Sequence, residues 1–278
     1  MRHRTRRGVV AAACGTALAV IAGTTAATAS SSDAALPAYD HIYVIMLENH
    51  SQSSVIDDPN APYLTSLAHG YGMADHYYGV THPSMPNYIA TIGRDNFGIQ
   101  DDNDQNVVNL DRRNLVDQLE ARNVSWDAYM EDLPPNKLDR FWPDSTNPLY
   151  AKKHNPFVLF DDVKNNPGRM AHVRDYSQLG TDLNSADAPH FVWITPNQCH
   201  DMHGGVYGTI AHHPETPCPY GSTKDDPNDA ALKAKADRFV HQAVDTIRGS
   251  RASDGQRSWP VDDGPEGRAH AEVSGGDT

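Results

Sequence analysis

At 278 residues the chain is long enough to bury a sizeable core, and a single α/β domain is the plain expectation. Its formal net charge of -13, from 23 Lys and Arg against 36 Asp and Glu, repels nucleic-acid and anionic-membrane backbones at long range, so a nonspecific polyanion binder is excluded. Past the first residues, no segment is long and apolar enough to span a bilayer.

Residues 2–29 read as an export signal. A basic stretch, Arg2 to Arg7, precedes the apolar run Val9 to Ala22, and Ala27-Thr28-Ala29 is a small-x-small cleavage site. Thr5-Arg6-Arg7-Gly8-Val9-Val10 also fits the twin-arginine pattern, so both export routes stay open. A polar leader, 30–38, comes next. Tyr43 to Leu47 is the first core strand, ending in Glu48-Asn49. Ala61 to Ala68 is a short helix with Leu64, Leu67 and Ala68 on one face. Thr81-His82-Pro83-Ser84-Met85-Pro86 is a rigid turn that opens a helix, which stops near Gly93. A polar loop spans 97–103, and Asn114 to Ala121 is amphipathic, with Leu115, Val116 and Leu119 inward. Val124 to Met130 alternates like a strand, and the proline-broken stretch 132–147 is loop. His190 to Thr195 is a second core strand, stopped by Pro196 and followed by a histidine-rich loop. Ala230 to Arg248 is the clearest helix. Strands alternating with helices predict a mostly parallel sheet covered on both faces. Residues 251–278 hold no apolar run and read as a disordered tail.

Four groups of residues could carry chemistry. Glu48 and Asn49 put two oxygen ligands at the carboxyl end of a buried strand, where open α/β sheets hold ligands, although Asn also suits a plain turn. Ser84 sits at a helix amino terminus, which favours an anion, and a simple helix cap does not need the flanking His82, Pro83 and Pro86. Asp201 and His203, two apart past the second strand, could bind one metal or form a solvated loop. Lys153 and His154 could meet a phosphoryl oxygen or form a solvated basic turn. A serine without an adjacent base is a weak nucleophile unless a metal coordinates it, so Ser84 near Glu48 and Asn49 points to a metal-activated serine attacking phosphorus. Cys199 and Cys218 suit a disulfide in an oxidising compartment, with a metal site among the intervening histidines as the rival.

Two segments, Met46-Leu47-Glu48-Asn49-His50-Ser51 and Thr81-His82-Pro83-Ser84-Met85-Pro86-Asn87-Tyr88, resemble the secreted phosphoesterases of acid phosphatase and phospholipase C type, within the alkaline-phosphatase-like superfamily. Tyr129 to Pro134, Tyr150 to Phe157, Thr195-Pro196-Asn197 and Asp201-Met202-His203 extend the resemblance, which runs from about His41 to Ser250. It implies a three-layer α/β/α sandwich over residues 30–250 and a secreted hydrolase of small phosphate-ester or phospholipid-headgroup substrates, with no nucleic-acid partner. It implies Ser84 and His82 as catalytic residues, Lys153 and His154 on substrate, and a divalent metal ion of unspecified identity on Glu48, Asn49, Asp201 and His203. The implied reaction is double displacement through a phosphoserine. A phospholipase C-type phosphodiesterase and a catalytically incompetent remnant are the alternatives. Similar proteins continue past the long helix with a core strand ending in an acidic cluster. Here Asp262 and Asp263 lack such a strand, so the sheet and the second half of the metal site are expected to be truncated. Back-translating Gly255 to Gly264 and reading one base later permits Asp-Ser-Ala-Val and then Thr-Met-Asp, which suggests a shifted reading frame.

Overall fold

A computed structural model describes residues 39–253 apart from 146, 222, 224 and 225. The export signal, and all of the expected tail 251–278 except its first three residues, lie outside the described residues. Four strands, β1 (Ile42–Ile45), β2 (Trp126–Met130), β3 (Val173–Asp175) and β4 (Phe191–Thr195), form one sheet in the order β1-β4-β2-β3, parallel throughout. The helices are α1 (Gln52–Val55), α2 (Pro62–Tyr71), α3 (Ser84–Gly93), α4 (Leu115–Glu120), α5 (Asp161–Lys164), α6 (Pro167–Ala171), α7 (Leu179–Leu183) and α8 (Pro227–Arg248). Every residue of β2 and β4 is buried, as expected of parallel strands covered on both faces. The expected α/β fold is therefore present.

Successive side chains of a strand point to opposite faces, and the two faces carry separate cores. Trp126, Ala128, Met130, Phe191 and Trp193 pack with Met85, Ile89 and Ile92 of α3 and with Phe157 and Phe160. Tyr129, Val192 and Ile194 pack on the other face with Leu179 and Leu183 of α7 and with Phe239, Ala243 and Ile247 of α8. Helices thus cover both faces, in three layers. After α8 the chain makes a 3-10 turn at Arg251–Ser253, and Ala252 is buried against this second core.

Parallel strands deliver all their carboxyl ends to one edge. Glu48-Asn49 leaves β1 there, Glu131-Asp132 leaves β2, and Pro196 to His203 leaves β4. Cys199 and Cys218 are joined by a disulfide across a sequence separation of 19, which overturns the metal reading at these cysteines. Closing a loop of that length restricts the unfolded chain by about 3 kcal/mol. Replacing both cysteines by serine is expected to lower unfolding free energy by about that much. Urea midpoints for the wild type with and without reductant, and for the double variant, measure it. Coincident curves would contradict the expectation.

Candidate active site

Glu48 is drawn against the sheet edge by its own backbone, whose N–H donates to the Asp201 carbonyl at 2.6 Å. Asn49, half-buried, takes the left-handed conformation at φ 61°, one that asparagine tolerates better than most residues. The turn leaves the Glu48 carboxylate buried, and burial pushes its pKa up to about 7 against the pull of nearby Lys153. The Ser84 and Tyr88 hydroxyls, one turn apart on α3, lie beside this carboxylate and favour its charged form. Tyr88 Oη is nevertheless buried and makes no well-formed hydrogen bond.

Ser84 is the first residue of α3, and Pro83 before it offers no capping side chain. The start of α3 is held instead by Asp102, whose Oδ1 accepts from the Met85 N–H at 2.9 Å. The other oxygen of Asp102 meets Lys153 Nζ at 2.7 Å, in a pair that is almost fully buried. Lys153 also lies 4.1 Å from the ring centroid of half-exposed Trp142. Asn87 receives the preceding turn, its Oδ1 accepting from the N–H groups of Val80 and Thr81. His82 is exposed, two residues ahead of Ser84.

His154 is buried behind this edge. Its ring stacks on Tyr88, with centroids 5.1 Å apart. Nδ1 is flanked by Gln198 Nε2 at 3.1 Å and Asp201 Oδ2 at 3.3 Å. Nε2 has no hydrogen-bond partner and faces Glu48 Oε1 at 3.6 Å. Burial and neighbouring Lys153 hold the His154 pKa well below the ordinary imidazole value, and they lower His203 to about 4. Asp201 is fully buried, one of its oxygens lacks a hydrogen bond, and burial with the nearby Glu48 charge raises its pKa strongly.

Ligand atoms of Glu48, His154 and His203 all lie within 4.8 Å of one another. Two donors on one tetrahedral ion, at bonds of ~2.0–2.2 Å, stand roughly 3.4 Å apart. Neutral imidazoles, a carboxylate raised by desolvation and orphaned buried atoms are what a site built around a cation shows when its own groups are considered alone. The residues therefore fit a divalent metal ion.

The structure brings together Glu48, Ser84, Lys153, His154, Asp201 and His203, with Asn49 at the same turn. The 152–156 segment is not a solvated basic turn, since Lys153 and His154 are buried in a 3-10 turn. The 201–203 loop is not solvated either, because Asp201 is inaccessible. His154, expected on substrate, sits among the candidate metal ligands. Asp201, expected as a metal ligand, stands behind His154, its Oδ2 3.3 Å from Nδ1 and without a hydrogen bond. Sequence reading missed Asp102, Tyr88 and Gln198. Asp102 lay in view in an acidic loop, but its partner is 51 residues away. A further group, Asp132, His213 and Glu215, meets at the end of β2, beside the His200–Glu131 pair at 3.0 Å.

A model of the phosphoesterase family matches residues 55–213, which include Ser84, Lys153, His154, Asp201 and His203. An acid phosphatase of Aspergillus fumigatus is 32% identical over 169 residues, covering 60% of this chain and 37% of that protein. A probable acid phosphatase of Kluyveromyces lactis is 33% identical over 175 residues, covering 62% and 41%. The phosphatidylinositol-3-phosphatase of Mycobacterium tuberculosis is 30% identical over 171 residues, covering 62% and 54%. The matched part thus spans from just over a third to about half of these relatives' lengths.

Proposed function

The chain belongs to the phosphoesterase family, and from that membership we propose that it hydrolyses phosphate monoesters at the sheet edge, with Ser84 as nucleophile. One observation carries the reading. The Ser84 hydroxyl, at the positive end of α3, stands beside Glu48 in a buried cluster that also holds Lys153, His154 and His203.

Ser84 Oγ forms a bond to phosphorus as the bond to the leaving oxygen breaks, and the hydroxyl proton passes to solvent water. A water oxygen then bonds to phosphorus as the Oγ–phosphorus bond breaks, a proton returns to Oγ, and phosphate leaves. Lys153 supplies positive charge to a phosphoryl oxygen, held in place by Asp102. His82, exposed and two residues ahead of Ser84, is assigned the donation of a proton to the leaving oxygen. Glu48, Asn49, His154 and His203 would hold a divalent cation, with Asp201 orienting His154. Such an ion neutralises phosphoryl charge and lowers the pKa of the attacking hydroxyl. Residues 2–29 and the Cys199–Cys218 disulfide support a site of action outside the cytoplasm.

Phosphate release from p-nitrophenyl phosphate by the full chain, with and without chelator, tests the proposal. Turnover abolished by the chelator supports it. Turnover of phosphatidylcholine in preference to the monoester would favour a phospholipase C-type phosphodiesterase. No turnover from a folded chain that binds metal would make it a non-catalytic remnant.

Metal affinity is expected to depend on pH in one direction. His203 stays neutral down to about pH 4 and burial holds His154 well below its ordinary value, so Glu48, at about 7, is the group that must give up a proton to a cation. Affinity for Mn2+ should climb roughly tenfold per pH unit up to about 7 and level off above it. Calorimetry in two buffers of different ionisation enthalpy reads the released proton. A flat profile through that window contradicts the assignment.

A further inference from the structure

The first turns of α8 lie behind the Glu48-Asn49 turn and reach it through a buried chain of polar contacts. His50 Nε2 meets Asp229 Oδ1 at 2.7 Å, and its Nδ1 lies 3.2 Å from the backbone oxygen of Glu48. Asp229 Oδ1 is an acceptor, so Nε2, in the shorter of the two contacts, is the donor to it. The second Asp229 oxygen takes Lys233 Nζ at 2.7 Å, and Lys233 also meets Asp58 Oδ2 at 3.1 Å, just past α1. His50, Asp229 and Lys233 are all buried. Asp229 is not needed as the helix cap, because Asp226 already accepts from the Asn228 N–H at 2.8 Å.

The other site loop rests on the same helix. Met202, between Asp201 and His203, packs with Leu47, Ala236 and Val240, and Leu232 packs on the disulfide. A Cβ on Gly221 would come within 2.5 Å of the Asp229 nitrogen, so the loop leaving the disulfide lies directly against the first turn of α8. Both loops that carry candidate ligands are thereby referenced to one rigid element. Fixing a ligand's backbone this way lowers the cost of organising a metal site.

We propose that His50 and Asp229 are positioning residues that hold the Glu48-Asn49 turn in its ligating conformation, with Lys233 fixing the Asp229 carboxylate. The inference rests on the proposed metal-holding role of Glu48, but its first readout does not require metal.

Amide hydrogen exchange of the full chain, without metal, tests it. In Asp229→Asn and in His50→Gln, the Glu48 N–H, bonded to the Asp201 carbonyl, should exchange at least about tenfold faster, a loss of some 1.4 kcal/mol of local protection. The Val192 and Ile194 amides of β4 should be unchanged. Unchanged exchange at Glu48, or equal acceleration in β4, would overturn the proposal, the latter by showing a global rather than a positioning effect. The second readout is Mn2+ affinity, expected to fall at least about tenfold in both variants; wild-type affinity in either would also overturn it. A wild-type chain that binds no Mn2+ would sink the metal-holding reading instead, leaving the exchange comparison to decide positioning. If Asp229→Asn does not fold, because buried Lys233 has lost a carboxylate, Asp229→Asn combined with Lys233→Met removes both charges and repeats the comparison.

Discussion

Replacing Ser84 by alanine is expected to reduce phosphate release by at least roughly a thousandfold while leaving the fold intact. The hydroxyl is the only atom lost. It lies at the first position of α3, where alanine is well tolerated, and it does not cap the helix. It interacts with Glu48, whose pKa it helps to lower, so stability should change by less than about 1 kcal/mol. Steady-state phosphate release beside a thermal melt separates the two effects. Activity within tenfold of wild type would remove Ser84 as nucleophile, and the neighbouring hydroxyl of Tyr88 would be the next group to test.

The second large effect concerns Lys153. Its ammonium and the Asp102 carboxylate are both almost fully buried and 2.7 Å apart. Lys153→Met strands that carboxylate inside the protein, and breaking one partner of a buried pair costs about 3–5 kcal/mol. The loss should spread to Ser84, because the same Asp102 accepts from the Met85 N–H and so fixes the start of α3. Lys153→Met with Asp102→Asn removes both charges and should recover most of the stability, but not the activity. Denaturant unfolding of the single and double variants provides the cycle. A single variant within about 1 kcal/mol of wild type would show that water reaches the pair and screens it.

Much of the frame was legible from the sequence because local patterns encode it. Tyr43 to Leu47 and His190 to Thr195 are apolar runs of strand length, and each is a buried or half-buried strand of the sheet. The Ser84 turn lies where Pro83 and Pro86 fix the backbone, so its position at the start of α3 follows from its immediate neighbours. The pairing of Cys199 with Cys218 followed from there being two cysteines beyond the leader. The short β3 was not visible, since three residues carry too little periodicity to mark a strand.

By itself, then, the sequence determined the alternation of strands and helices, the polar residues at the strand ends and the motifs of the family. Each depends on neighbours a few positions apart, where hydrophobic period and turn chemistry act. Only the tertiary structure decided which of those polar residues meet. Asp102 reaches Lys153, His154 faces Glu48, and His50 finds Asp229 at a separation of 179 residues, through packing of elements whose docking no local pattern specifies. Burial then set their chemistry: the same lysine, histidine and carboxylates would be ordinary solvated groups at the surface, and desolvation makes them a site whose charge a cation would complete.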